Sequence, residues 1–215
     1  MNAKKIVTAG LALVMVAGIS VAGTLAYLTS DGGEVKNTFT VGSVTIDLTE
    51  GKYENGVYTE ADRVDSEQSY GKVTPNVKYD KDPVVHVKTD SEDCYVFVKV
   101  TNGISAYELG DTDDYDPIAT QIEGHNWTLL TGVEGVNNVY YQEVDVSELT
   151  GTSLREEDKE NYKDLTVFDN FCLDGAKVTS STTLDPIIVK AAAVQLAGFE
   201  NDVAGAYAQV ATFLE

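Results

Sequence analysis

The chain has 215 residues, 43% of them hydrophobic, with 35 acidic against 15 basic side chains and a formal net charge of −20. That charge argues against nucleic acid and anionic membrane surfaces as partners, since both are themselves negative. The hydrophobic fraction and the twelve tyrosines are too high for a disordered acidic chain, so a packed core is expected.

The first residues read as an export signal. Lys4 and Lys5 form a positive start, and Ile6 to Ala26 carries no charge over 21 residues. Thr24 and Ala26 place small side chains where a signal peptidase inspects, so the cut is expected between Ala26 and Tyr27. The alternative is an uncleaved anchor, because 21 apolar residues just suffice to span a bilayer. Either way the bulk of the chain is expected outside the cytoplasm, secreted into an extracellular matrix or held at the cell surface, with membrane contact only before cleavage. Loss of residues 1–26 removes two lysines and leaves 13 basic against 35 acidic residues, a net of −22. Residues 27–215 are long enough to bury one full core and read as a single domain.

Short strands punctuated by Gly, Asn and Asp dominate residues 37–199. Phe39 and Val41 alternate on one face, then Val44, Ile46 and Leu48 on the other parity, with the slip at Gly42-Ser43. An extra residue at a glycine is how a β-bulge keeps a bent strand facing its core. Residues 51–74 are polar, with Glu54-Asn55-Gly56 as a hairpin signal. Strands are expected over 83–89 and 94–102. In the second, Cys94, Val96, Val98 and Val100 share one face, and Tyr95, Phe97 and Lys99 the other. An acidic loop, 108–117, separates these from strands at 125–131 and 139–146, which pair as a long hairpin. Residues 153–164 are charged and exposed, with a helical turn or two. Residues 165–173 and 186–199 are two further strands, the latter apolar on both parities, as a strand covered on both faces should be.

At the end the period changes. Val203, Ala206, Tyr207, Val210, Phe213 and Leu214 recur at three and four, with Asn201 or Asp202 as N-cap, so 201–215 is an amphipathic helix. About eight strands at this spacing imply an all-β fold, two antiparallel sheets in a sandwich or jelly roll, carrying that helix.

Catalytic chemistry is sparse. Neither histidine, His86 or His125, sits in a His-Glu-x-x-His pair that would put two zinc ligands on one helical face. His86 shares parity with Lys88 and reads as solvent-facing. His125 reads as the opening of a strand. Neither has a triad-like setting, so no catalytic residue and no cofactor is expected. Asp111, Asp113, Asp114 and Asp116 resemble the start of a calcium loop but lack its turn glycine and closing glutamate, so a solvated acidic loop is the plainer reading. Cys94 and Cys172 read either as buried thiols or as a disulfide pair across 77 intervening residues. Trp127 reads as core packing.

The junction "GTLAYLTSDGGEVKNTFTVGSVTIDL" resembles the TasA/camelysin-type family of secreted proteins, which leave the cell through a dedicated SipW-type signal peptidase. The aromatic after the small residues is Tyr27, and Asn37-Thr38-Phe39-Thr40-Val41-Gly42 opens the strand. The segments 81–100 and 186–199 are also similar to core strands of such proteins. The resemblance implies a jelly-roll fold and a subunit of extracellular biofilm-matrix or cell-surface fibres. Its partners would be further copies of itself, the signal peptidase and an accessory matrix or anchoring protein. Fibres of that kind imply strand addition in trans, with residues 27–49 including the donated strand and Phe39, Val41, Val44, Ile46 and Leu48 on its apolar faces. An ordinary first strand paired within its own domain fits the same pattern. Two other functions stay open: a monomeric surface binding module or adhesin, and a camelysin-like secreted protease, which the missing ligand sets disfavour. At −22 the subunits repel, so acid or divalent cations are expected to promote assembly.

Overall fold

Alternating apolar residues produce eleven strands in antiparallel sheets, seen in a computed structural model that describes residues 29–31, 43–155 and 159–215. The larger sheet has five strands: β1 (Thr29–Asp31), β11 (Ile187–Gln195), β6 (Cys94–Asn102), β8 (Val139–Val144) and β7 (Thr128–Leu129), in that order. The second has four: β3 (Val57–Val64), β2 (Ile46–Glu54), β5 (Val84–Lys88) and β9 (Tyr162–Thr166). A short pair joins β4 (Lys78–Asp80) to β10 (Asn170–Cys172).

The period-2 pattern decides which face each strand buries. Cys94, Val96, Val98 and Val100 of β6, with Ala191 and Ala193 of β11, meet Ile46, Val85, Val87 and Leu165 of the four-stranded sheet in one core. Each buried valine or isoleucine contributes about 1.5–3 kcal/mol. The opposite face of the larger sheet, Tyr95, Phe97, Ala192 and Val194, lies under helix α2 (Val203–Val210) and the single 3-10 turn after it. Ala206, Val210 and Leu214 supply the helix side of that second cluster. Asp202 caps α2, its carboxylate accepting from the Gly205 amide at 2.9 Å. Strands β6 and β11 are thus covered on both faces over Tyr95–Phe97 and Ala192–Val194.

The β2–β3 hairpin turns at Asn55-Gly56, both at positive φ (53° and 83°), the geometry that an Asn-Gly pair tolerates. A bulge at Gly51/Lys52 has its origin in packing. A Cβ on Gly51 would fall 2.3 Å from the Tyr58 hydroxyl, so only glycine lets that ring cross the strand.

Three sequence expectations change. Residues 118–124 form a helix, α1 (Ile118–Gly124), where the sequence pattern passes from acidic loop to strand. Pro117 precedes it, and Ile118 and Ile122 bury one face four residues apart. Residues 165–173 are not one strand. The chain leaves β9 at Thr166, buries Val167 and Phe168, and re-pairs as β10 with β4. Only Thr128–Leu129 of 125–131 is strand, because Asn126 at φ 66° turns the chain out of helix α1.

Candidate functional site

The five-stranded sheet ends in an unequal pair. Strand β11 has nine residues, and on one side all of them pair with β6. On the other side β1 has three, with Thr29 opposite Val194, Ser30 opposite Ala193 and Asp31 opposite Ala192. Among the described residues no strand lies along the outer edge of Ile187–Ala191, and Ile188 is 45% exposed there. Strand β1 brings backbone hydrogen bonds but, by sequence, only threonine, serine and aspartate side chains. It therefore adds little apolar burial to the edge it occupies.

The strand-exchange residues fall into two groups. Val44 and Ile46 are buried in the core, each 6% exposed, and Leu48 packs against it. Strand β2 lies between β3 and β5, so the second half of the 27–49 segment is committed to its own domain. Phe39 and Val41, like the cleavage pair Ala26 and Tyr27, lie outside the described residues.

His86 is a correction. It is fully buried rather than solvent-facing, because the 149–155 segment folds over that face of the four-stranded sheet. Its Nδ1 lies 2.6 Å from Asp164 Oδ1, and its Nε2 lies 2.7 Å from the Thr49 hydroxyl, which also accepts from Arg63 Nε at 2.8 Å. Ser153 donates to Asp164 Oδ1 at 2.6 Å, and the Leu154 amide donates to Oδ2 at 2.5 Å. Arg155 adds an ion pair with Asp47 and lies 4.2 Å from the centre of the Tyr162 ring. Burial alone would push the Asp164 carboxyl up. The hydrogen bond and charge of His86, with the Ser153 and Leu154 bonds, hold it below the usual carboxylate range instead.

Hydroxyl, imidazole and carboxylate here stand in the order of a nucleophilic relay. The histidine is enclosed, however, and the Thr49 hydroxyl is already held by Arg63. What the group does in this geometry is bolt strands β2, β5 and β9 to the covering loop. Parity with Lys88 could not have exposed it, since the covering segment lies more than sixty residues away along the chain.

The remaining candidates have structural roles or none. His125 closes α1 rather than opening a strand, and its Nε2 lies 2.8 Å from Asp169 Oδ2. Trp127 is buried and donates from Nε1 to the Thr166 carbonyl at 2.7 Å, which makes it core packing. Asp113, Asp114 and Asp116 line a shallow polar depression with Gln121, Asp169 and Asn170, and Asp111 is not part of that lining. Among the described residues no three acidic, histidine or cysteine side chains converge as metal ligands. Cys94 and Cys172 are both free and buried, not bridged. Burial pushes the Cys94 thiol up to about 12 and raises that of Cys172. Among the described residues no helix is long and apolar enough to cross a membrane. No family model, curated protein or solved structure matches this chain, so the functional reading rests on its own residues.

Proposed function

We propose that the protein is a secreted structural subunit of extracellular matrix or cell-surface fibres. On this reading it is a jelly-roll domain of the TasA/camelysin type that assembles when the N-terminal segment of one copy adds to a sheet edge of the next. The observation that carries the reading is the outer edge of β11, long, partly unpaired among the described residues, and capped only by the three residues of β1.

A segment with Phe39 and Val41 on one face would add apolar burial that Thr29–Asp31 lacks, about 1.5–3 kcal/mol for each side chain fully buried. Backbone pairing to β11 would supply the affinity, and the alternate side chains the register. Because β2 is committed to its own domain, the donor narrows to roughly residues 27–42. Nothing in the reading calls for a cofactor or for catalysis.

Deletion of residues 27–36 from the mature chain tests it. Loss of filaments by negative-stain imaging, with the folded domain retained by circular dichroism, is the expected result. Normal filaments from the truncated chain would end the reading. The pairing of Thr29–Asp31 with β11 of the same chain favours a second reading, a self-complete monomeric binding module. On that reading the intact mature chain elutes as a monomer at every pH and calcium concentration tried.

A further inference from the structure

A second polar group lies at the base of the β2–β3 hairpin, and it contains a lysine, a glutamate and a side-chain amide. Lys81, 9% exposed, forms an ion pair from its amine to Oε2 of Glu50. The other oxygen of the same carboxylate, Oε1, accepts from Gln68 Nε2 at 2.6 Å. One carboxylate thus bridges a buried amine and a half-buried primary amide.

The amide is fixed at its remaining atoms too. Gln68 Nε2 also donates to the Gly51 carbonyl at 2.8 Å, and Gln68 Oε1 accepts from the Tyr53 backbone N–H at 2.5 Å. Those two bonds settle which end of the amide is oxygen. They also point a backbone N–H at the oxygen on which charge would develop if the carbonyl carbon were attacked. The rings of Tyr53 and Tyr70 stack with centroids 4.3 Å apart, and the Tyr70 ring meets Phe171 edge-on at 5.1 Å. Next door, Arg63 and Asp82 pair at 2.7 Å, setting a second cation beside the lysine's segment. Glu108 makes a useful contrast. It is buried and holds the amide of Asn102, but its other oxygen takes the Tyr115 hydroxyl and the Ile118 amide, while the Lys177 amine binds its backbone carbonyl rather than its carboxylate.

We propose that Lys81 and Gln68 join in an intramolecular isopeptide bond, with Glu50 as the catalytic proton-transfer group. Glu50 takes a proton from the Lys81 ammonium, and the freed nitrogen lone pair attacks Cδ of Gln68. The carbonyl electrons move onto Oε1, against the Tyr53 N–H. Glu50 then gives its proton to Nε2 and takes the second proton from the attacking nitrogen. The C–N bond to Nε2 breaks, the carbonyl reforms, and ammonia leaves and is protonated. The sum is one ammonium and one amide giving a secondary amide and an ammonium ion, with no oxidant, metal or cofactor. Holding amine and amide on one carboxylate provides the high effective concentration such a slow reaction requires. The bond ties the loop after β3 to the segment after β4, a covalent tie across the end of the sheet beside the hairpin.

Peptide mapping of the folded wild-type chain, with intact mass, tests this. The expected result is a mass lower by one ammonia and a branched peptide joining Lys81 to Gln68. Lys81→Arg keeps a cation on Glu50 but has a poor nucleophile, and Glu50→Gln removes the proton acceptor, so both should show the full mass and two separate peptides. Unlinked wild-type peptides after prolonged incubation of the folded protein would overturn the proposal. A cross-link that persists in Glu50→Gln would overturn the role of Glu50. The wild-type map decides the main point even if a variant fails to fold.

Discussion

Strands β1 and β2 come from one continuous stretch of sequence, yet they are held in different ways. Strand β2 sits inside a sheet, with Ile46 in the core and Thr49 and Glu50 in two buried polar groups. Strand β1 is three residues at a sheet edge, joined by backbone pairing to β11. The contrast separates a part of the N-terminal segment that is buried in its own domain from a part that is held at an edge by backbone pairing.

The largest expected effect lies in β2. Ile46→Ala should cost about 2–5 kcal/mol, because the methyl groups it removes leave a void among residues that cannot all close in. Denaturant titration reads it. A loss under about 1 kcal/mol would mean that β2 is not committed as described.

An intermediate effect is expected where the loop is bolted to the sheet. Asp164→Asn should cost about 1–3 kcal/mol near neutral pH, since it weakens the bonds to His86 and Leu154. The pH dependence has a definite sign. The folded carboxyl is held below its unfolded value of 3.8, so its stabilisation is fully present above that value and disappears as pH falls through the lower folded one. The stability gap between wild type and Asp164→Asn should therefore narrow below about pH 4, and a gap that widens on acidification would contradict the assignment.

The smallest effect should be at the edge. Ser30→Pro removes a ladder donor from β1 and should change monomer stability by no more than about 1.5 kcal/mol. If it destabilises the monomer as much as Ile46→Ala, the edge strand is integral and the two regions are alike after all.

Much of the fold was legible because local pattern carries it. The two faces of β6 are readable from alternation, and burial agrees: Cys94, Val96, Val98 and Val100 face one core, and Tyr95 and Phe97 the other. The Asn55-Gly56 hairpin and the Asp202 cap are readable from turn and cap chemistry. Helix α1 is not, because the acidic loop before it masks a short motif, a proline and then two isoleucines four apart. The sites were less legible. His86 shares strand parity with a lysine, and only the arrival of Ser153 and Leu154 from far along the chain encloses it.

Alternation, turn residues and charge, which act between near neighbours in the chain, were enough to establish an acidic all-β protein with a terminal amphipathic helix. Which strands become neighbours in each sheet, and which carboxylate meets which amine, depended on contacts between residues tens of positions apart. Glu50, Gln68 and Lys81 come from a strand and two separate loop segments, and no periodicity within any of them encodes the others. Their meeting follows from the folded chain, in which Gln68 bonds Glu50, the Gly51 carbonyl and the Tyr53 amide of β2, and Lys81 pairs with Glu50.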